Sequence, residues 1–167
     1  YDEKKHVAFL KGVDSVFTKV SSIDKKLFSG YWFEPNSNQA SIGYEVSQKL
    51  SIGILDYINA LEVYVPKSGK LKTSINEAFN KTTLEPVGMY EAGEDVYNNY
   101  VFCDILIVQS LLNYKANQFT NIDFKINPNS SEESAIAELQ SIFKNKVKVK
   151  NRAQLNDALY KMLNTEY

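Results

Sequence analysis

Residues 41–65 read SIGYEVSQKLSIGILDYINALEVYV, and this stretch decides the fold class that the sequence predicts. Its apolar residues recur at intervals of three and four, the spacing that lines one face of a helix. The residues that keep this period are Val46, Leu50, Ile54, Tyr57, Ile58, Leu61 and Val65. Ile42, Ile52 and Leu55 add apolar bulk on the other side. We therefore predict a central helix that is apolar nearly all round and buried.

Helical spacing also occurs upstream of this stretch. Apolar residues from Phe9 to Val20 predict a first helix that begins near Glu3, and a further turn or two precedes Gly30. Residues 31–39 contain the Pro and Asn that are typical of a loop.

Downstream of Pro66, the predicted elements are a short helix, a loop and a longer helix. The short amphipathic helix covers residues 71–79, and residues 82–94 lack any period and indicate an ordered loop. Acidic side chains at Glu94 or Asp95 suit the positive end of a helix dipole. We therefore expect the longer helix to run from there to Leu112.

The last third of the chain changes to alternating strands and helices. Residues 121–127 alternate apolar and polar side chains, as a half-buried strand does, and so does KVKVK at residues 146–150. Ser130 and Glu133 have the spacing of a capping box, and Asn151 can cap a final helix. This region therefore predicts the order strand, helix, strand, helix.

Together these elements predict an α+β fold that is mainly helical. We expect a single compact domain over residues 1–167 with about five to seven helices. Its helical part covers residues 1–114 and its mixed α/β part covers residues 115–167. No repeat period or flexible linker divides the chain.

The composition excludes several classes of protein. The chain of 167 residues has 19 Lys and Arg against 20 Asp and Glu, a net charge of −1, which fits neither a strongly basic nucleic-acid binder nor an acidic disordered tail. No stretch approaches the roughly 18 uninterrupted apolar residues of a membrane span, so we predict a soluble domain. Because residue 1 is Tyr rather than Met, we expect a fragment, a processed form or a trimmed form, from which any signal peptide or lipid anchor would already have been removed. The compartment stays open.

Few side chains are suited to catalysis or to metal binding. His6 is the one histidine and Cys103 the one cysteine, too few for a structural zinc site or a disulfide. We expect His6 on the surface and Cys103 in the core. The glycines form no phosphate-binding pattern, since Gly69-Lys70 is followed by Leu rather than Ser or Thr. We therefore predict no cofactor, no metal and no catalytic residue.

Four carboxylates lie close together in the sequence, at Glu85, Glu91, Glu94 and Asp95. A pair of such acids can hydrolyse a glycosidic bond when their separation is right, with or without a divalent ion. The alternative is a solvated acidic loop whose last residues favour the start of a helix.

A basic segment follows near the C-terminus, where Lys146, Lys148, Lys150 and Arg152 stand without an intervening acid. The strand period places the three lysines in a row that can meet phosphates. Lysines on an edge strand also prevent unwanted strand pairing, and no aromatic residue is interleaved for base stacking. An acidic partner protein, or the acidic loop of a second copy, would fit the same row.

The aromatic segment Tyr31-Trp32-Phe33 cannot direct three consecutive rings into one core. At least one ring should lie near the surface, where Trp32 is a candidate binding anchor. The alternative is that Trp32 folds back over the end of the first helix.

The sequence therefore favours a non-catalytic module that binds another protein, or a second copy of itself. Its predicted binding residues are Tyr31, Trp32, Phe33, Glu91, Glu94, Asp95, Lys146, Lys148, Lys150 and Arg152. Two alternatives stay open: a carboxylate- or metal-dependent hydrolase that uses the acidic loop, and a weak nucleic-acid binder that uses the basic segment.

Overall fold

A computed structural model describes residues 3–69 and 74–165 of the chain. The fold is α+β, with a six-stranded mixed sheet. Helices account for 35% and strands for 23% of the structure, so the predicted mainly helical architecture is wrong. The sheet, which the sequence did not predict, organises the first two thirds of the chain.

The six strands lie within residues 9–104 and the helices are mostly short. The strands are β1 (Phe9–Val13), β2 (Leu27–Gly30), β3 (Gln39–Gly43), β4 (Leu61–Pro66), β5 (Phe79–Tyr90) and β6 (Tyr100–Asp104). The α-helices are α1 (Phe17–Ser21), α2 (Tyr44–Leu50), α3 (Ile75–Ala78), α4 (Ile105–Leu111), α5 (Glu132–Ile142) and α6 (Arg152–Thr165). Two 3-10 helices cover Ile23–Lys26 and Asp95–Asn99.

The strand order in the sheet is β1-β6-β3-β5-β2, and β4 also pairs with β5. The pairs β1·β6 and β3·β5 are parallel, whereas β3·β6, β2·β5 and β4·β5 are antiparallel. The long strand β5 is therefore the centre of the arrangement, since three other strands pair along it.

The central helix predicted over residues 41–65 is not present. The segment forms β3, then α2, then a loop, then β4. The helix α2 ends where Ser51 adopts a left-handed backbone conformation with φ 51°. It begins directly after Gly43, where an added Cβ would lie 2.1 Å from the backbone oxygen of Asn98. The apolar side chains of this segment belong to two strands and a short helix. The combined spacing of these side chains resembles the period of one long helix.

Three further predictions in this region are wrong, two of them because successive short elements again imitate a helical period. The first predicted helix is β1 followed by the five-residue α1, and the predicted loop at residues 82–94 is mostly β5. The predicted long helix to Leu112 is a 3-10 helix, β6 and α4 in turn. Pro86 is compatible with β5 because the strand has a register shift there, and proline is tolerated at bulges.

Near the C-terminus both helices are confirmed and both strands are not. Residues 121–127 and 146–150 form no strand. Helix α5 is capped by Ser131, whose side chain accepts a hydrogen bond from the Ser134 N–H, one residue later than predicted. Asn151 caps α6, since its Oδ1 accepts from the Gln154 N–H at 2.9 Å. Local caps define these helices, whereas a strand needs a partner that the described chain does not supply.

The sheet has an aliphatic face and an aromatic face. The aliphatic core contains Ala40, Ile42, Val46, Ile52, Leu61, Leu84, Val101 and Cys103. Rings from β6 and its neighbours fill the other side, where Phe102 lies 5.4 to 5.6 Å from the rings of Phe17, Trp32, Tyr90 and Tyr100. This division follows from the alternation of side chains along β6.

The chain divides into two compact units, one ending at Asp123 and the other beginning at Phe124. The first contains the sheet and the second contains α5 and α6. That the whole chain is a single domain stays a prediction. Among the described residues, none of the helices has the length and apolar character that crossing a membrane requires.

Candidate functional site

Two surface segments meet at the register shift of β5. The Leu55 N–H donates to the carbonyl oxygen of Pro86 at 2.8 Å, and the Tyr31 N–H donates to that of Val87 at 3.0 Å. These contacts lie between the end of the β4 pairing at Leu84 and the start of the β2 pairing at Gly88. The aromatic segment and the loop after α2 are therefore neighbours along one flank of β5.

The loop after α2 ends in a tip, residues 55–59, whose shape is set by Asp56. Its Oδ1 accepts hydrogen bonds from the backbone N–H groups of Ile58 at 3.0 Å and Asn59 at 3.3 Å, and its Oδ2 accepts from the Asn59 side chain at 2.8 Å. The Asn59 side chain, together with the backbone donors, holds the pKa of Asp56 below its usual value. An Asp that bonds backbone groups two and three residues ahead is a common way to fix a turn.

This turn directs two large apolar side chains into solvent. Tyr57 is 83% exposed and Ile58 is 91% exposed. Leu55 at the start of the tip and Tyr31 beside it are also exposed, at 42% and 43%. We name these four side chains, Tyr31, Leu55, Tyr57 and Ile58, the edge patch. A group of exposed apolar side chains on neighbouring segments is typical of an interaction surface.

The segment that carries Tyr31 is held firmly in place. Gly30 has φ 73°, a conformation that suits glycine, and an added Cβ there would lie 2.0 Å from the Val87 oxygen. The following loop is fixed by hydrogen bonds from the Phe33 N–H to Ser41 Oγ at 3.0 Å and from the Asn36 N–H to Asp104 Oδ2 at 2.8 Å. The patch is therefore largely preorganised, which lowers the entropic cost of binding.

The three consecutive rings of the aromatic segment occupy different environments. Tyr31 is exposed, Trp32 is half-buried and Phe33 is buried. The Trp32 ring lies 5.2 Å from that of Phe33 and 5.4 Å from that of Phe102. Tyr31 therefore offers the most surface of the three, and Trp32 packs on the aromatic face of the sheet.

The structure places Glu85 within β5, whereas the other acids of the predicted acidic site follow that strand. Glu91 follows β5 and is exposed, Glu94 is half-buried, and Asp95 is exposed at the first position of a 3-10 helix. Within residues 3–69 and 74–165, no group of three or more His, Cys, Asp or Glu side chains could hold a metal ion. The hydrolase alternative stays a prediction.

The basic residues lie together in the second unit. Lys146, Lys148 and Lys150 are exposed in the connection from α5 to α6, and Arg152 is the first residue of α6. A shallow groove of about 430 Å³ follows this connection. A second groove, of about 200 Å³, lies in the first unit between Tyr64, Asn76, Phe79 and Lys81.

The two side chains best suited to nucleophilic chemistry are held in structural contacts. His6 Nε2 lies 2.5 Å from Asn99 Oδ1, and Cys103 is fully buried in the aliphatic core. Burial raises the pKa of the Cys103 thiol to about 12. A thiol that stays protonated at neutral pH is a poor nucleophile.

The sequence prediction missed the tip of the loop. Tyr57 and Ile58 were assigned to the apolar face of a buried helix, because their spacing matched its period. The signal that could have identified a turn is Asp56 followed by Asn59, two residues that favour turns over helix interiors. Comparison with known proteins assigns the chain to no family. No protein-family model matches it, and no curated protein is significantly similar to it.

Proposed function

We propose that this protein is a binding module whose edge patch inserts Tyr57 and Ile58 into an apolar pocket of another protein. One observation supports it above all others: the two side chains are 83% and 91% exposed at the end of a turn that Asp56 fixes. Exposing two adjacent large apolar side chains is unfavourable in water, so a fixed turn that does so favours a binding role.

The chemistry of the patch supports a protein as the partner. Tyrosine is enriched among the residues that dominate binding energy, and it brings a large apolar area with a polar end. The patch contains two tyrosines and two aliphatic residues, a composition typical of an interface centre, and the carboxylate of Asp56 between them accepts hydrogen bonds within the turn. Flanking segments of the same unit contain three exposed lysines, Lys25, Lys26 and Lys49. Charged side chains at the edge of an interface affect the rate of association more than the affinity.

The test is site-specific photocrosslinking in native extract. A photoreactive residue placed at position 58 should yield a defined crosslinked complex with a second protein. The same residue placed at position 106 is the matched control, because Leu106 is a single exposed apolar side chain on α4 of the same unit. Equal crosslinking at both positions, or none at position 58, would refute the proposal.

The identity of the crosslinked product distinguishes two kinds of partner. A complex of this chain with itself would show that the patch mediates self-association rather than recognition of another protein. Sedimentation of the purified chain provides the independent check, and we expect it to remain a monomer at concentrations where the crosslink forms.

A further inference from the structure

The connection between α5 and α6 carries a strand-like sequence that the described chain leaves unpaired. Residues 146–150 read KVKVK, and alternating valines favour an extended backbone. The preceding turn is well defined, since the N–H groups of Lys144, Asn145 and Lys146 donate to the carbonyl oxygens of Ser141, Gln140 and Phe143. Across residues 3–69 and 74–165, no backbone–backbone hydrogen bond involves residues 147–150.

An apolar strip and lysine side chains accompany these free peptide groups. Val147 is 46% exposed and Val149 is half-buried. Lys148 and Lys150 line the groove of about 430 Å³, together with the side chains of Gln140 and Gln154. The groove therefore presents free backbone groups, two amides and two positive charges to one ligand.

The lysines of the segment lie in none of the ion pairs that the structure shows within residues 3–69 and 74–165. An ion pair among the described residues joins Lys11 to Asp123, in the first unit. Among the residues that the structure describes, Lys146, Lys148 and Lys150 have no acidic partner. The sequence of residues 144–152 contains no acid. A negatively charged ligand would supply the missing complement.

We propose that the connection binds an extended acidic peptide, which pairs with the backbone of residues 147–150 and places its carboxylates against Lys148 and Lys150. Addition of a peptide strand to an unpaired segment gives affinity through the backbone and selectivity through alternate side chains. This site is separate from the edge patch and does not depend on the proposed function.

A peptide fits the site better than a nucleic acid does. Single-stranded nucleic acids bind proteins by stacking on aromatic side chains, and no aromatic residue lines the groove. The chain as a whole carries a net charge of −1, so its attraction for a polyanion is confined to this segment. A short peptide needs only the local charge of the segment. At physiological salt, screening limits the range of electrostatic attraction to about 8 Å.

The probe is a fluorescent synthetic peptide in which Glu alternates with Thr, titrated with the full chain. We expect binding that weakens as salt is added, and no binding of the same peptide with Gln in place of Glu. The double variant Lys148→Glu, Lys150→Glu should weaken binding about tenfold or more, since each change removes an attraction and adds a repulsion. The matched control is Lys161→Glu, an exposed lysine of α6 outside the groove, which should bind like the unmodified chain.

Two further measurements test the backbone pairing and the class of ligand. A peptide methylated on alternate backbone nitrogens keeps its charge but cannot pair, so it should not bind. Duplex DNA should not displace the peptide. The proposal would be overturned by unchanged peptide binding in the double variant, or by an equal loss of peptide binding in Lys161→Glu. Full binding of the methylated peptide, or displacement of the peptide by DNA, would also overturn it. Circular dichroism of each variant would confirm that the helices are retained.

Discussion

Replacement of Asp104 tests how the loop that carries Tyr31 is anchored. Its Oδ1 accepts from the Leu106 N–H at 2.8 Å and caps α4, while its Oδ2 accepts from the Asn36 N–H at 2.8 Å. Loss of an N-cap costs about 0.5–2 kcal/mol. Loss of the hydrogen bond from Asn36 adds about 1–2 kcal/mol to this cost. The cost is no larger because Asn36 is exposed, so that water can replace the lost acceptor. Asp104→Ala should therefore lower the free energy of unfolding by about 1.5–4 kcal/mol.

The assay is urea unfolding followed by the fluorescence of Trp32, the one tryptophan, which lies on the aromatic face. A matched variant, Asp104→Asn, keeps the cap because Asn is as good an N-cap as Asp. Its amide cannot accept from the Asn36 N–H while capping α4, so it should lose about 1–2 kcal/mol. A loss below about 1 kcal/mol in Asp104→Ala, or no loss in Asp104→Asn, would refute the anchoring argument.

Three further predictions concern the patch and the core. Replacing Tyr57 and Ile58 together by Ser should change the Tm by less than about 2 °C, because both side chains are exposed; a larger fall by calorimetry would mean that they are packed. Gly43→Ala should cost at least about 2 kcal/mol because its Cβ would meet backbone. Gly53→Ala is its control in the same urea titration, since nothing lies within 4 Å of an added Cβ there. The free energy of unfolding should fall as pH rises from 9.0 to about 12, because the Cys103 thiol keeps its proton in the folded chain and loses it in the unfolded chain. Cys103→Ala should reduce that slope by up to about 1.4 kcal/mol per pH unit, and an unchanged slope would contradict the burial argument.

The helices of the second unit were predictable because their signals are local. Ser131 and Asn151 each cap a helix through contacts within three residues, so a short window of sequence contains the cause. The spacing of Ser130 and Glu133 placed the first cap one residue early, which is the usual error at a helix end.

The sheet was not predictable in the same way. The strand β6 is stabilised by β1 and β3, whose residues are distant in the sequence, and its apolar run reads equally well as part of a helix. Conversely, residues 121–127 have a strand pattern but no strand partner in the described chain. The periodicity of a sequence indicates which side chains are apolar. It does not indicate whether a neighbouring strand is available for pairing.

The candidate site was predicted only in part. Three consecutive rings cannot share one core, and Tyr31 is indeed exposed. Tyr57 and Ile58 were assigned to a buried helix because their spacing matches a helical period. Their exposure depends on the Asp56 turn, which is local, and on the bond from Leu55 to Pro86, which is a tertiary contact.

The pairing of β1 with β6 has a consequence for the order in which the chain folds. Phe9 is paired with Tyr100, so the first strand emerges from the ribosome long before its partner exists. The antiparallel β4·β5 pair, in which Pro66 is opposite Phe79, closes a far shorter loop and can form early. Strand β1 therefore cannot pair with β6 until residues 100–104 have been synthesised, and a nascent chain that stalls before residue 100 would leave one edge of the growing sheet without its neighbour.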